Sequence, residues 1–313
     1  MSDMTYRHLG NSGLMVSTVG LGCNNFGMRI DAAATERVVG AALDHGITMF
    51  DTSDSYGDSE IFLSKALGSR RDEIVLATKF GTDLRGSNGP DWGARGSRRY
   101  IRKAVERSLT RLGTDYIDLY QLHMPDPSTP IEETLSALSD LVHEGKIRYI
   151  GNSNFAGWQI ADAEWIARTT GSVRFVSAQN HYNLIERAAE TDVLPACERF
   201  GLGQLPYFPL ASGLLTGKYQ RGVAAPADGR IAAWHMDSML SDANFDKVDA
   251  LSAFAGERGL SLLQIALGGL ASRPAIASVI AGATSAEQVA ANVEAGLWTP
   301  TEDDRAALDL ALS

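Results

Sequence analysis

Apolar runs of strand length alternate with helical patterns along almost all of this 313-residue chain, and that alternation restricts its fold more than any other feature. Strands are expected over residues 18–21, 47–50, 74–78, 116–122, 147–151, 175–178, 203–207 and 277–280. Helical patterns fall between them at 33–45, 59–67, 97–112, 131–144, 156–169, 189–200 and 245–258, and Thr284 and Ser285 open one more after the last strand. Consecutive parallel strands need a crossover connection, usually a helix, so these repeats imply an α/β chain closed into a (β/α)8 TIM barrel. A hairpin is expected ahead of it, its arms 5–9 and 14–17 reversing through Gly10-Asn11-Ser12-Gly13. The patterns at 260–272 and 301–312 read as two helices extra to the repeat. Barrels of this kind reach this length with one core, so residues 1–313 are read as one domain.

Asp51, Tyr56, Lys79 and His123 lie at or just beyond the carboxyl ends of three successive strand runs. In a parallel barrel those ends converge on one face, where an acid, a phenol, an amine and an imidazole would meet. The set suits delivery of a proton to a carbonyl oxygen. A free tyrosine is a weak acid, with a pKa of about 10, and a neighbouring ammonium would lower it. Lys79 supplies that charge, Asp51 pairs with Lys79, and His123 orients the oxygen. Each residue alone is as readily a cap, a packing group or a solvated strand end; four at consecutive strand ends read as a site.

Composition excludes several other classes. Hydrophobic residues make up 44% of the chain and charged residues 21%, which suits a globular protein with a large core. A formal net charge of -10 opposes general attraction to nucleic acid or an anionic membrane. The two cysteines, Cys23 and Cys197, form no metal-ligand spacing and no disulfide framework, which fits a reducing cytoplasm. The first ten residues include Asp3, Arg7 and His8, so no signal peptide is expected, and the apolar stretch 260–283 is broken by Gln264, Arg273 and Pro274. A metal site is not expected either, since His123 is the only histidine placed at a strand end. Two long loops, 81–96 and 220–242, would overhang the carboxyl face and shape a substrate pocket.

Several stretches together resemble the aldo-keto reductase superfamily over nearly the whole chain. They are Phe50-Asp51-Thr52-Ser53-Asp54-Ser55-Tyr56-Gly57, Thr78-Lys79-Phe80-Gly81, Gln121-Leu122-His123, Gly151-Asn152-Ser153-Asn154-Phe155, the run from Pro209 to Lys218, and Gly282-Ala283-Thr284-Ser285 with Gln288 and Asn292. Pro125-Asp126-Pro127, Thr129-Pro130 and Glu132-Glu133 bring it nearest the branch that includes the β subunits of voltage-gated potassium channels. The resemblance implies a reductase of small carbonyl compounds that prefers NADPH, with NADH as the lesser alternative. It assigns the nicotinamide end to Cys23, Asn24, Asp51, Ser153, Asn154 and Gln179, with Tyr207 as the stacking ring. The pyrophosphate and adenosine end falls to Pro209, Leu210, Ala211, Ser212, Lys218, Arg230, Gly282, Thr284, Gln288 and Asn292, with phosphate held at the last barrel helix. Asn25, Phe26, Tyr56, Trp92 or its neighbours, and Trp234 would line the substrate pocket.

The chain departs from the pattern in two places. Many relatives carry a cation where Ser285 and Gln288 stand, and a small apolar residue where Asn152 stands. Residues 20–25 lack the third glycine of a dinucleotide fingerprint, and 213–218 is too short for a P-loop. The alternative reading is a cofactor-binding regulatory subunit that senses redox state by slow turnover. His123 opposes it, because the channel subunits carry asparagine at the matching position.

Overall fold

The computed structural model describes residues 4–226 and 229–312. Asp3, named above, and residues 227–228 of the 220–242 loop lie outside the described residues. β1 (Tyr6–His8) and β2 (Met15–Ser17) pair antiparallel in the register Tyr6–Ser17. The reversal between them needs glycine at position 10, where φ is 56° and a Cβ would stand 2.4 Å from the carbonyl oxygen of Gly201. This hairpin closes the amino-terminal mouth of the barrel, placing Leu9 and Val16 in one apolar cluster with Met49, Val75, Leu119 and Ala277.

Eight parallel strands follow in one sheet: β3 (Val19–Gly22), β4 (Met49–Asp51), β5 (Val75–Phe80), β6 (Ile117–Leu122), β7 (Ile147–Ser153), β8 (Phe175–Gln179), β9 (Gly203–Gln204) and β10 (Val279–Gly282). Their order is sequential, with β10 beside β3. Backbone bonds from Gln204 N to Ala275 O (2.7 Å), Ala277 N to Gln204 O (2.9 Å) and Ile280 N to Pro206 O (3.0 Å) join the last two strands and close the ring. β9 is shorter than the 203–207 run because Pro206 has no N–H to continue the ladder. The chain stays extended past it, and Tyr207 bridges to both His181 and Ile280.

The ring of helices is α1 (Ala32–Asp44), α2 (Ser59–Leu67), α3 (Arg98–Leu112), α4 (Ile131–His143), α5 (Gly157–Thr170), α6 (Val193–Phe200), then, after the short α7 (Arg230–Ala233) and α8 (Asp242–Glu257), α9 (Leu262–Ala271) and α10 (Ala286–Gly296), with α11 (Glu302–Ala311) last. Asp31, Ser97, Ser241, Ser261, Ser285 and Thr301 cap their helices through side-chain oxygens, a local signal the sequence carries openly.

One expectation is corrected here. Apart from the single-turn α7, two helices do lie outside the ring among the described residues, but they are α8 and α11, which pack on each other, whereas the 260–272 segment becomes the barrel helix α9 beside β10 and α10. The physical reason is burial on all sides. Ile265 through Ala271 are all buried, with Leu267 and Leu270 in the barrel's outer core and Ile265 and Ala266 in a second core under α8. A helix apolar all round is stable only between two layers. Among the described residues, no helix is long and apolar enough to cross a membrane.

Candidate active site

The sheet register sets Asp51 beside Ala77 and Lys79 beside Gln121, so β4, β5 and β6 deliver their last side chains to the same end of the barrel. Lys79 is fully buried, and its Nζ donates to Asp51 Oδ2 (2.5 Å), to the carbonyl of Thr52 (2.9 Å) and to Tyr56 Oη (3.5 Å). Asp51 Oδ1 accepts from Gln121 Nε2 and Gln179 Nε2, each at 3.0 Å. Both carboxylate oxygens are therefore engaged, as a buried charge requires. The His123 ring meets the Tyr56 ring edge-on at 5.9 Å. All four expected residues converge.

Burial would depress the Lys79 ammonium, but Asp51 and then Tyr56 carry it above its ordinary value. Burial raises the Tyr56 phenol, and the charge of Lys79 offsets part of that rise. The expected lowering by Lys79 is present as a contribution while the net direction is upward. Burial, with the charge of Lys79, pushes His123 down to about 3, so the imidazole is neutral near pH 7. A neutral imidazole can donate from only one nitrogen.

A cleft of about 570 Å³ opens from this group. Cys23, Asn24, Asn25, Ser153, Asn154, Gln179, Tyr207, Pro209, Leu210, Ser212, Lys218, Arg230, Trp234, Gly282, Thr284, Gln288 and Asn292 line it together with Asp51, Tyr56 and His123. Lys79 lies beneath its floor. Ala211 turns its side chain into the second core instead.

The structure does not bring Phe26 or Trp92 to the cleft, which corrects the expected pocket. Phe26 is fully buried in the barrel's outer core. Trp92 is 74% exposed under the Arg99 guanidinium, because its loop is tied to α3 by Asn88, which donates to Tyr100 Oη (3.2 Å) and Asp54 Oδ2 (3.3 Å).

Several groups meant for a ligand hold one another. Tyr207 Oη donates to Asn154 Oδ1 (2.8 Å), Asn154 Nδ2 donates to the His123 carbonyl (3.0 Å), and Ser153 Oγ donates to the Gln179 carbonyl (2.8 Å). His181 stacks on the Tyr207 ring at 5.4 Å. Sequence reading gave no site role to Gln121, Ser53, Arg29 or Phe208. Gln121 had a usable signal, an uncharged polar residue near the carboxyl end of a strand run, two positions before His123.

The far end of the cleft is cationic. Arg230 sits between the Phe208 and Trp234 rings, at 5.5 and 4.9 Å, and donates to the amide oxygens of Asn24 (3.2 Å) and Asn25 (3.0 Å). Burial, then the charge of Arg29, lowers its pKa to about 10. Among the described residues no carboxylate pairs with it. At the start of α10, Gln288 Oε1 accepts from Thr284 N (2.8 Å) and Ser285 caps Gln288 N (3.4 Å), so the chain's own side chains occupy donors expected to meet a phosphate.

Strand-end proton-handling groups beside an elongated, cation-ended cleft define an oxidoreductase-type barrel. The chain belongs to the aldo/keto reductase family, whose sequence model matches residues 18–312. It is 38% identical over 304 residues to a probable voltage-gated potassium channel subunit beta of Arabidopsis thaliana, covering 93% of this chain and 91% of that protein. An uncharacterized oxidoreductase of Bacillus subtilis is 36% identical over 93% of this chain and 91% of its own length. The L-glyceraldehyde 3-phosphate reductase of Escherichia coli strain K12 is 35% identical over 94% of this chain and 88% of its own.

Proposed function

We propose that the 1–313 barrel acts as a single domain and reduces aldehydes or ketones to alcohols, with NADPH preferred over NADH as the cofactor and Tyr56 as the proton donor. The observation that carries this reading is the buried chain from Asp51 through Lys79 to Tyr56, opening beside a neutral His123. Support for a dinucleotide in the cleft comes from Arg230, a half-buried cation whose hydrogen-bond partners among the described residues are amide oxygens, so that an anion beside it would be favoured. A bound reduced nicotinamide would supply the hydride. Asn154, Ser153, Gln179 and Tyr207 would face the nicotinamide end, and Lys218, Arg230, Thr284 and Gln288 the phosphates.

This chain's residues would then handle the oxygen and the proton. His123 would hold the carbonyl oxygen, and Tyr56 Oη would give its proton to the developing alkoxide. Lys79, held charged by Asp51, would stabilise the phenolate left behind. Gln121 and Gln179 would keep Asp51 aimed at Lys79. Two buried free thiols, Cys23 and Cys197, support residence in a reducing compartment such as the cytoplasm.

A panel of carbonyl substrates with NADPH and NADH, followed by loss of the reduced nicotinamide absorbance, tests the class. Tyr56→Phe should lower kcat by about 10² to 10⁴-fold while NADPH affinity stays near the parent value. Retention of most of kcat with hydride transfer limiting would remove Tyr56 from the role. A second reading, a slow redox-sensing regulatory subunit, draws support from the Arabidopsis thaliana relative. Sluggish turnover by the parent across the whole panel would favour it.

A further inference from the structure

We infer that the stripe of α3 bordering the 88–92 loop is a docking surface for an acidic polypeptide segment. The inference does not rest on the reductase reading, because none of the residues that carry it lines the cleft. Arg98, Arg99, Arg102, Lys103, Arg107 and Arg111 all fall on α3, in a chain whose formal net charge is -10. They divide into two sets by what the fold puts opposite them.

Arg98 pairs with Asp140 of α4, Arg102 with Glu144 at the end of that helix, and Arg111 with Glu60 of α2 at 2.6 Å. Those three are neutralised inside the fold. Arg99, Lys103 and Arg107 are not. Spaced four residues apart, they share one stripe of the helix and meet the loop in turn. The Arg99 guanidinium lies over the Trp92 ring at 4.6 Å, Lys103 Nζ is 3.5 Å from where a Gly89 Cβ would stand, and Arg107 Nη1 donates to Asn88 Oδ1 at 3.5 Å. Among the described residues no carboxylate pairs with any of the three. Nearby acids are already engaged: Asp83 and Asp91 pair with Arg95 at 3.2 and 2.9 Å, Glu106 pairs with Lys146, and the buried Asp54 accepts from Asn88. Trp92, largely exposed, adds an apolar face at the amino-terminal end of the stripe.

The spacing selects the partner. At 1.5 Å per residue, steps of four residues set the cations about 6 Å apart and about 12 Å end to end. Alternate side chains of an extended chain share a face and repeat every ~6.6 Å, so three acids at alternate positions meet the three cations. A segment this short stays within about one Debye length of the stripe, roughly 8–10 Å, and feels its positive charge more than the acidic remainder of the molecule. A nucleic acid or an anionic membrane extends beyond three cations and meets that remainder, which repels it. Membrane capture also draws on clusters of roughly four to eight basic residues. An apolar residue next to the acids would settle on Trp92.

The test uses the full-length protein and a fluorescein-labelled peptide of alternating glutamate and threonine with leucine at both ends, read by fluorescence anisotropy. The parent should bind it at about 0.05 M salt and lose about tenfold or more in affinity at about 0.5 M. Arg99→Gln, Lys103→Gln and Arg107→Gln should each weaken binding about two- to fivefold, and together about tenfold or more. A charge-matched control, Arg37→Gln with Lys65→Gln and Arg199→Gln, removes three exposed cations from α1, α2 and α6 and should keep the parent's affinity. A parent that does not bind the peptide, or an equal loss in the control, would overturn the inference. Single-stranded DNA or phosphatidylserine vesicles held by the same three residues as tightly as the peptide would overturn the choice of partner. Should the triple variant fail to fold, Arg99→Gln with Lys103→Gln leaves Arg107 on Asn88 and still decides.

Discussion

At the Asp51 end of the cleft, the buried Lys79 ammonium meets a carboxylate, a carbonyl and a phenol, and the carboxylate in turn meets two glutamines. At the Arg230 end, a half-buried guanidinium meets two amide oxygens and two aromatic faces but no described acid. The first end is built on strand termini joined by a short turn. The second is built largely on the excursion after β9, where Phe208, Ala211 and Ser212 adopt positive φ of 53°, 46° and 57°. Left-handed backbone at non-glycine residues is strained and tends to cluster at ligand sites. One end is complete without a ligand, as proton transfer between fixed groups requires, and the other carries a charge that a ligand would neutralise.

Breaking the self-sufficient end should have the largest effect. Lys79→Met leaves the Asp51 carboxylate buried beside two amides with no cation, and the cost of orphaning one partner of a buried pair is about 3–5 kcal/mol. Denaturant unfolding would measure it. Adding Asp51→Asn should recover much of the stability and none of the turnover. A Lys79→Met protein as stable as the parent would mean that the two ends are not organised differently at all.

The cationic end should respond in the opposite sense. Arg230→Met keeps an unbranched stem between Phe208 and Trp234 and removes a charge that has no described carboxylate partner, so stability should change little. Affinity for NADPH should fall about tenfold or more, since a charge-assisted contact contributes roughly 1.5–3 kcal/mol. Fluorescence titration and thermal melting together separate the two quantities. Unchanged affinity would detach this cation from the cofactor.

The smallest effect sharpens the comparison through pH. Burial, followed by Glu60, raises Asp54 to about 7, so at higher pH the folded state carries a buried charge that the unfolded state exposes freely. Its contribution therefore becomes more favourable as pH falls from about 8 toward 5. His123 works the other way, because its folded pKa is lowered to about 3, and stability is lost as pH falls below the ordinary histidine value of about 6.5. Asp54→Asn should raise the melting temperature by a few degrees at pH 8, by less at pH 5, and by almost nothing below about pH 4, under the ordinary aspartate value. A difference independent of pH would mean that Asp54 is ionised throughout.

Much of this was legible before the structure. The eight strand positions, the hairpin and the convergence of Asp51, Tyr56, Lys79 and His123 follow from apolar periodicity and from the rule that parallel-barrel strand ends share a face. These are local patterns, and a barrel closes them in sequential order, so adjacency in sequence became adjacency in space. Tertiary packing decided the rest. Whether 245–258 or 260–272 entered the helical ring depended on where a long excursion returned, which no periodicity records. That Phe26 turned into the core while Asn25 faced the cleft depended on which side of a loop met α-helical cover. Gln121 and Ser53 became supports of the site through contacts spanning 70 residues each. Strands and helices are fixed by short-range periodicity and capping, whereas hydrogen-bond partners and ligand-ready charges depend on side chains that only the closed barrel brings within reach.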